Sequence, residues 1–193
     1  MEKLTPADLL TLEAYARERH AFRRRVIAHK RLRQVNLGPH ALLHFEDRLT
    51  MQYQIQEMLR VERIFEPQAV QDELDAYNPL IPDGRNWKAT LMLEFPDPEE
   101  RSARLAALRG IERATYVQIK GHDKVFPVAN EDLERDNGEK TSSVHFMRFE
   151  LTPEMIAAVK DGARLAVGTD HPHYTHRADV PDAVRQALII DLD

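Results

Sequence analysis

The order of its helical and extended patterns most constrains how this chain can fold. Helical periodicity dominates the first third of the sequence, and short β-compatible segments with Pro- and Gly-rich connections dominate the rest. The clearest extended segment, 144–151, is rich in β-branched and aromatic residues. Helices followed by runs of strands are typical of α+β proteins. The chain is therefore predicted to form a mixed, mainly antiparallel sheet with N-terminal helices and further helices packed on one side.

The first helix has a recognisable start. Thr5 suits an N-cap, Pro6 the first helical position and Asp8 the first turn, and apolar residues then recur at helical spacing. One helix is therefore predicted from Thr5 to about Arg31. Further helices are predicted over 48–65, 67–76, 98–108, 153–160 and 181–190.

Strands are predicted between and after these helices. A hairpin is expected around Gly38, joining 34–37 to 41–46, and a second around Gly121, joining 115–120 to 124–128. The other predicted strands cover 88–95, 144–151 and 165–168, and 130–141 is predicted to be an exposed loop.

Length and composition exclude several classes of protein. A chain of 193 residues suits a single domain, here with a helix-rich part over 1–77 and a sheet-rich part over 85–193 that are not independent. The absence of cysteine excludes disulfides and thiolate chemistry. The glycines are too dispersed for a phosphate-binding loop. With no apolar run of about 18 residues and no signal peptide, a cytoplasmic protein without a membrane anchor is predicted.

Charge is unevenly distributed along the chain. Eleven Lys and Arg face five Asp and Glu over 17–63, whereas ten face sixteen over 66–140. These segments either neutralise each other or leave a basic face for an acidic partner, with Arg23, Arg24 and Arg31 as candidate contacts. The basic stretch 17–33 lacks the interleaved aromatic residues of proteins that bind single-stranded nucleic acids, and it has no helix-turn-helix motif. No nucleic acid partner is therefore expected.

A histidine-rich segment is the strongest candidate for metal chemistry. His171, His173 and His176 follow the predicted strand 165–168, and His145 lies on the strand 144–151. Imidazoles are common ligands of zinc and iron. The predicted ligands of one divalent zinc or iron ion are His145, His171 and His176, with His173 as a further candidate. The alternatives are a solvated histidine loop and a His145 that is buried for structural reasons.

Acidic and basic side chains on the predicted helix 48–65 form a second candidate. Glu57 and Arg60 are three residues apart, which is the spacing of an ordinary helical ion pair. The functional alternative is a polar pocket lined by Glu57 and Arg60, in which Glu46 or Glu57 completes the metal site or acts as a general base.

Several long segments resemble a bacterial family known as domain of unknown function 3501. The resemblance is carried by 45–48, 53–64, 76–101, 140–153 and 168–174, which span nearly the whole chain. It implies one domain and a role near peroxide defence or electron transfer, by association with rubrerythrin-like and iron–sulfur oxidoreductases. His173 is an extra histidine relative to the family pattern, so the resemblance favours His171 and His176 with His145 as the site.

Two functional hypotheses follow. The first is an accessory protein of a redox, iron–sulfur or rubrerythrin-like system that docks a redox partner and also binds a metal. The alternative is a small metal-dependent enzyme, an oxidoreductase or hydrolase, that uses the histidine-rich loop. Self-association into a homo-oligomer is compatible with either hypothesis.

Overall fold

A computed structural model describes residues 1–131 and 140–193. The α-helices in these residues are α1 (Leu12–Arg31), α2 (Arg48–Glu62), α3 (Pro67–Tyr77), α4 (Pro98–Ala107), α5 (Ile111–Ala114), α6 (Pro153–Lys160) and α7 (Asp182–Ile189). Several begin as the sequence predicts: side chains of Asp47, Asp97 and Thr152 accept backbone hydrogen bonds at the starts of α2, α4 and α6.

Strands in the same residues form two antiparallel sheets. They are β1 (Gln34–Leu37), β2 (Ala41–Glu46), β3 (Asn86–Leu93), β4 (Thr115–Ile119), β5 (Val128–Ala129), β6 (Val144–Glu150), β7 (Leu165–His171) and β8 (Tyr174–Asp179). The larger sheet has the order β1-β2-β3-β6-β5, and the smaller one has the order β4-β7-β8. The α+β class and its antiparallel pairing are as predicted.

The main hydrophobic core contains residues from both sheets. Leu43 and Leu91 of the larger sheet belong to the same buried cluster as Val117 and Val167 of the smaller one, together with residues of α4, α6 and α7. Edge strand β1 lies beside β7 and β8. There the Tyr174 hydroxyl donates to a backbone carbonyl of β1. One face of each sheet thus contributes to this shared core.

The N-terminal helices form a separate hydrophobic cluster on the other side of the larger sheet. Its buried members are Leu4, Met51, Ile55, Leu59, Leu74 and Ile81. Strand alternation turns His44, Glu46, Lys88 and Thr90 away from the main core and towards this side. The helical layer therefore covers polar residues of the sheet, and this position creates the site described below.

The first helix starts later than the sequence predicts. Thr5 caps only a 3₁₀ turn over Pro6–Asp8, and α1 starts at Leu12 with Thr11 as its N-cap. Between them, the backbone of Leu10 is bound by the Gln56 side chain, which accepts from its N–H at 2.6 Å and donates to its carbonyl at 3.3 Å. This tertiary contact satisfies backbone groups that a continuous helix would have bonded internally.

The predicted hairpin around Gly38 is confirmed, but the one around Gly121 is wrong. Val117 and Val125 form only an isolated bridge. Strand β4 pairs with β7, and β5 pairs with β6 in the other sheet. The chain after Gly121 therefore folds back along β4 only as far as Val125, and it then passes from one sheet to the other. Most of the predicted loop 130–141 lies outside the described residues.

The histidine-rich segment is a hairpin and not a loop. Strand β7 extends to His171, and β8 begins at Tyr174, directly opposite it. Strand alternation places His171 on the face that holds Leu165 and Val167 of the core. The predicted strand therefore continues through the first histidine because the core continues beneath it.

Candidate functional site

An open cleft of about 840 Å³ lies between the outer face of the larger sheet and the segment that follows α3. Its lining combines apolar side chains with several charges. It consists of Lys3, Asp75, Ala76, Tyr77, Pro79, Leu80, Lys88, Val128, Glu131, Phe146, Met147 and Arg148. The volume lies within the range of small-molecule sites, about 300–1,000 Å³.

Lys88 is the central charged residue of this cleft. It lies on β3, opposite Glu46 of β2 and Arg148 of β6 in the strand register. The side chain is half-buried and forms no hydrogen bond or ion pair within the described residues. Burial lowers the pKa of Lys88, and the positive charges of Arg148 and Lys3 lower it further, whereas the carboxylates of Glu131 and Asp83 act in the opposite direction. The cleft therefore contains an ammonium group that forms no direct ion pair with the described residues, although Glu131 and Asp83 act on its charge from a greater distance.

The other two cations of the cleft are already engaged. The Lys3 ammonium donates to the carbonyls of Asn78 (2.8 Å) and Ile81 (2.9 Å), which close the turn after α3. Arg148 donates two hydrogen bonds to Glu131, at 2.8 and 2.7 Å, and a third to Glu150. These two carboxylates compensate the charge of Arg148 and leave one negative charge in excess beside it. Lys88 remains as the cation whose charge is available to a ligand.

Apolar side chains surround Lys88. Tyr77 and Leu80 come from the end of α3 and the turn after it, and they also pack against the helical cluster. Phe146 of β6 and the exposed Val128 of β5 line the opposite side. An amine among aromatic and aliphatic surfaces suits a ligand with an anionic group and an apolar body.

A buried polar row lies beside Lys88 on the same face of the sheet. The Glu46 carboxylate accepts hydrogen bonds from Thr50 (2.8 Å) and Thr90 (2.5 Å), and it lies 3.1 Å from His44 Nδ1. Burial alone would raise the pKa of Glu46, but His44 and Thr90 lower it to about 2. Glu46 is therefore ionised and fully occupied by protein partners, which differs from the predicted metal ligand or general base.

Glu57 and Arg60 do not line this cleft. The Glu57 carboxylate accepts from Tyr15 (2.6 Å) and twice from Arg19 (2.7 Å each), and Arg60 approaches it only to 3.8 Å. The Arg19 hydrogen bonds lower the pKa of Glu57 to about 2 despite partial burial, with a further contribution from Tyr15. These residues therefore join α1 to α2 as a polar network between helices, and a pocket at Glu57 and Arg60 stays a prediction.

The predicted metal-binding histidines are occupied by other contacts. His145 is fully buried, with Asn130 at Nδ1 and Thr141 and the Ser142 carbonyl at Nε2. His171 Nε2 lies 3.0 Å from the Arg109 carbonyl, and its Nδ1 accepts from the backbone N–H two residues on.

His176 packs against the Tyr174 ring, with 4.5 Å between ring centroids, and its ring lies over Gly38. His173 is exposed on the turn of the hairpin. Among residues 1–131 and 140–193, no three His, Asp or Glu side chains are grouped so as to hold a metal ion. The hairpin pairing directs each ring to a separate partner, and so the predicted three-histidine group does not form there.

The basic residues of α1 that the sequence proposes for partner binding lie on the surface. Arg23, Arg24 and Arg31 are exposed and form no ion pair in the part of the chain that the structure describes. No ion pair there joins 17–63 to 66–140, so the acidic segment does not neutralise the basic one in these residues.

Sequence reasoning missed Lys3, Lys88 and Arg148 as residues of the site. A signal was present for two of them, since Lys88 and Arg148 are cations inside strands that are otherwise mostly apolar. A charged residue in such a strand either faces solvent or contributes to a site.

The fold and the cleft together define an α+β protein with an open, partly apolar cleft and one lysine that forms no direct ion pair with the described residues. The chain belongs to the family described as protein of unknown function DUF3501, whose model matches residues 3–192. It is similar to a novel protein of unknown function from Burkholderia pseudomallei K96243, with 50% identity, a TM-score of 0.95 and complete coverage of both chains. No curated protein matches the chain.

Proposed function

We propose that this chain is a binding protein that holds a small organic anion with an apolar body in the cleft around Lys88. The observation that carries the proposal is the half-buried Lys88 ammonium, which forms no direct ion pair or hydrogen bond with the described residues and lies between apolar side chains.

Electrostatics supports an anionic ligand. Partial burial of an ammonium group costs free energy unless a negative group or hydrogen-bond acceptors compensate it. A ligand carboxylate beside Lys88 would compensate this cost, and the nearby charge of Lys3 would add to the attraction. Binding would also return the pKa of Lys88 towards its ordinary value, because an adjacent anion favours the charged amine.

The apolar side chains of the cleft indicate the chemistry of the rest of the ligand. Tyr77, Leu80 and Phe146 offer aromatic and aliphatic contact on both sides of the cleft. A medium-chain or aryl carboxylate would bury its hydrocarbon part against them, at about 25 cal/mol per Å² of apolar surface removed from water. A purely polar anion would gain nothing from this lining.

The test compares ligands that differ only in charge. We expect decanoate to displace the fluorescent probe 8-anilinonaphthalene-1-sulfonate from the full chain, and decanol to displace it less well. Lys88→Gln should weaken decanoate binding about tenfold, since a charge-assisted hydrogen bond contributes about 1.5 kcal/mol, and should leave decanol unchanged. Lys160→Gln, an exposed lysine on α6, is the matched control. Equal binding of decanoate and decanol, or no effect of Lys88→Gln, would overturn the proposal.

A second candidate function is the docking of an acidic protein by the basic face of α1. It is favoured by the exposed Arg23, Arg24 and Arg31, which lie near the exposed apolar side chains of Ile27 and Leu32. The partner that the resemblance implies is a rubrerythrin-like or iron–sulfur oxidoreductase. Association should weaken as salt rises and after reversal of the three arginine charges to Glu. A pull-down at low ionic strength that retains no such oxidoreductase would contradict this role.

A further inference from the structure

A second hollow lies on the smaller sheet, on the face turned away from the core. It has a volume of about 270 Å³ and shares no lining residue with the Lys88 cleft. Its lining consists of Gln118, Lys120, Gly121, Arg164, Leu165, Ala166, Arg177 and Asp179. The hollow is therefore a separate candidate for binding.

The strand register explains its shape. Gln118, Ala166 and Asp179 are opposite one another on β4, β7 and β8, and so form one row across the sheet. The methyl group of Ala166 in the middle of the row leaves space between two longer side chains. The Lys120 N–H donates to the Arg164 carbonyl at 2.8 Å, which brings these two cationic residues together at the end of the row.

The charges around the hollow are unbalanced. Lys120, Arg164 and Arg177 surround it, and the only carboxylate in the lining is Asp179, which lies 3.4 Å from Arg177. Lys120 and Arg164 form no ion pair within residues 1–131 and 140–193. The lining thus carries two positive charges in excess, which an anion placed between them would neutralise.

We propose that this hollow binds a phosphate dianion, either free or as the terminal group of a small phosphomonoester. Two excess positive charges match the two negative charges of the ligand. Guanidinium and ammonium groups are the usual phosphate donors, and Arg164 can offer paired N–H groups. The Gln118 amide nitrogen donates to the His122 carbonyl at 3.3 Å, and its second N–H and its oxygen provide a neutral donor and acceptor for the remainder of a phosphomonoester.

The experiment follows backbone amide signals of the ¹⁵N-labelled full chain by NMR at constant ionic strength. Inorganic phosphate and glycerol 3-phosphate are titrated separately, with glycerol and sodium chloride as controls. Saturable shifts are expected at 118–121, 164–166 and 177–179 with a phosphate ligand and not with the controls. Tighter binding of glycerol 3-phosphate than of phosphate would assign the site to phosphomonoesters, and equal binding would assign it to the free ion.

Substitutions test whether the phosphate ligand binds in the hollow itself. Lys120→Gln combined with Arg164→Gln should weaken binding at least about tenfold, since each removes a charge-assisted contact, whereas Lys160→Gln should not. Ala166→Leu fills the hollow without changing its charge and should abolish binding, which keeps the test decisive if the double variant does not fold. Shifts that do not saturate, or that chloride reproduces, would overturn the proposal.

Discussion

The guanidinium of Arg33 donates to the carboxylate of Asp191, a residue 158 positions later in the chain, and both side chains are buried. The same guanidinium lies 3.4 Å from Asp47, which in turn lies 2.5 Å from His29. Arg33 also donates to the carbonyls of Phe45 (3.1 Å) and Ala187 (3.1 Å). One buried cation therefore joins the end of β2 and the start of α2 to the C-terminal segment.

Asp191 should make stability depend on pH. Burial raises the pKa of Asp191 to about 6, and the neighbouring Asp47 contributes, although Arg33 acts in the opposite direction. The folded carboxyl thus keeps its proton at a pH where the unfolded one has lost it. The free energy of unfolding should therefore fall as pH rises from 4 to 7, by on the order of 2–3 kcal/mol relative to Asp191→Asn, as measured by urea denaturation.

The control for this measurement is Asp123→Asn, which removes an exposed carboxylate. The difference in the free energy of unfolding between this variant and the wild type should stay constant across the same pH range. If the difference between the wild type and Asp191→Asn instead moves in the opposite direction, the Arg33 ion pair dominates and the pKa of Asp191 is lowered.

The network between α1 and α2 should contribute to stability through Glu57. Tyr15 is fully buried, and Glu57→Ala leaves its hydroxyl without its acceptor. We expect the free energy of unfolding to fall by about 2 kcal/mol in Glu57→Ala and by about 1 kcal/mol in Tyr15→Phe. The double variant should lose less than the sum of these two values. Thermal and urea unfolding measure these values. Glu62→Gln, an exposed change on the same helix, should have little effect, and additive losses would show that the two groups do not interact.

The pH dependence of this network has the opposite sign to that of Asp191. Because the pKa of Glu57 is lowered to about 2, its contribution to stability is present above the pKa of the unfolded carboxyl and is lost as pH falls below it. Glu57→Gln should therefore make the chain less sensitive to acid below pH 4.5 than the wild type, as followed by circular dichroism. An unchanged acid transition would contradict this assignment.

Lys88 should react at lower pH than an exposed lysine. Because burial and the nearby cations lower its pKa, a larger fraction of its amine is unprotonated at a given pH. Competitive labelling with acetic anhydride, read by mass spectrometry, should give a lower pH midpoint for Lys88 than for Lys160. Arg148→Gln should raise this midpoint. A midpoint equal to that of Lys160 would remove the electrostatic part of the proposed function.

His145 should contribute to the stability of the folded chain. Its ring is fully buried and bonds Asn130, Thr141 and the Ser142 carbonyl, so His145→Leu leaves these polar groups without a partner. We expect a loss of about 2–4 kcal/mol in the free energy of unfolding, measured by urea denaturation. The exposed His173, changed to Ala, should alter it by less than about 0.5 kcal/mol. A similar small effect at His145 would contradict a structural role.

Local patterns were sufficient for most of the fold. The hairpin from Gln34 to Glu46 and the caps at Asp97 and Thr152 follow from turn residues and side-chain hydrogen bonds within a few positions. The helix start at Thr5 and the hairpin at Gly121 were predicted wrongly for a common reason. Gln56 and strand β7, which decide them, lie far away in the sequence.

The candidate site was less predictable than the fold. Histidines attract attention in a sequence because few other side chains bind metals as well, yet the rings of His145 and His171 bond backbone and polar groups in separate places. Lys88 looks ordinary in the sequence. Its importance arises only when β6 brings Arg148 beside it and the turn after α3 closes the other side of the cleft.

The sequence by itself determined the α+β class, the alternation that turns Leu43 and Phe45 towards the core, and the family to which the chain belongs. These properties depend on periodicity and on short-range contacts, which can be read from neighbouring residues. Only the tertiary structure decided which charges are neutralised. Arg33 has Asp191 as its direct partner and Lys88 forms no direct ion pair with the described residues, because pairing across the sheets depends on contacts between residues far apart in the chain.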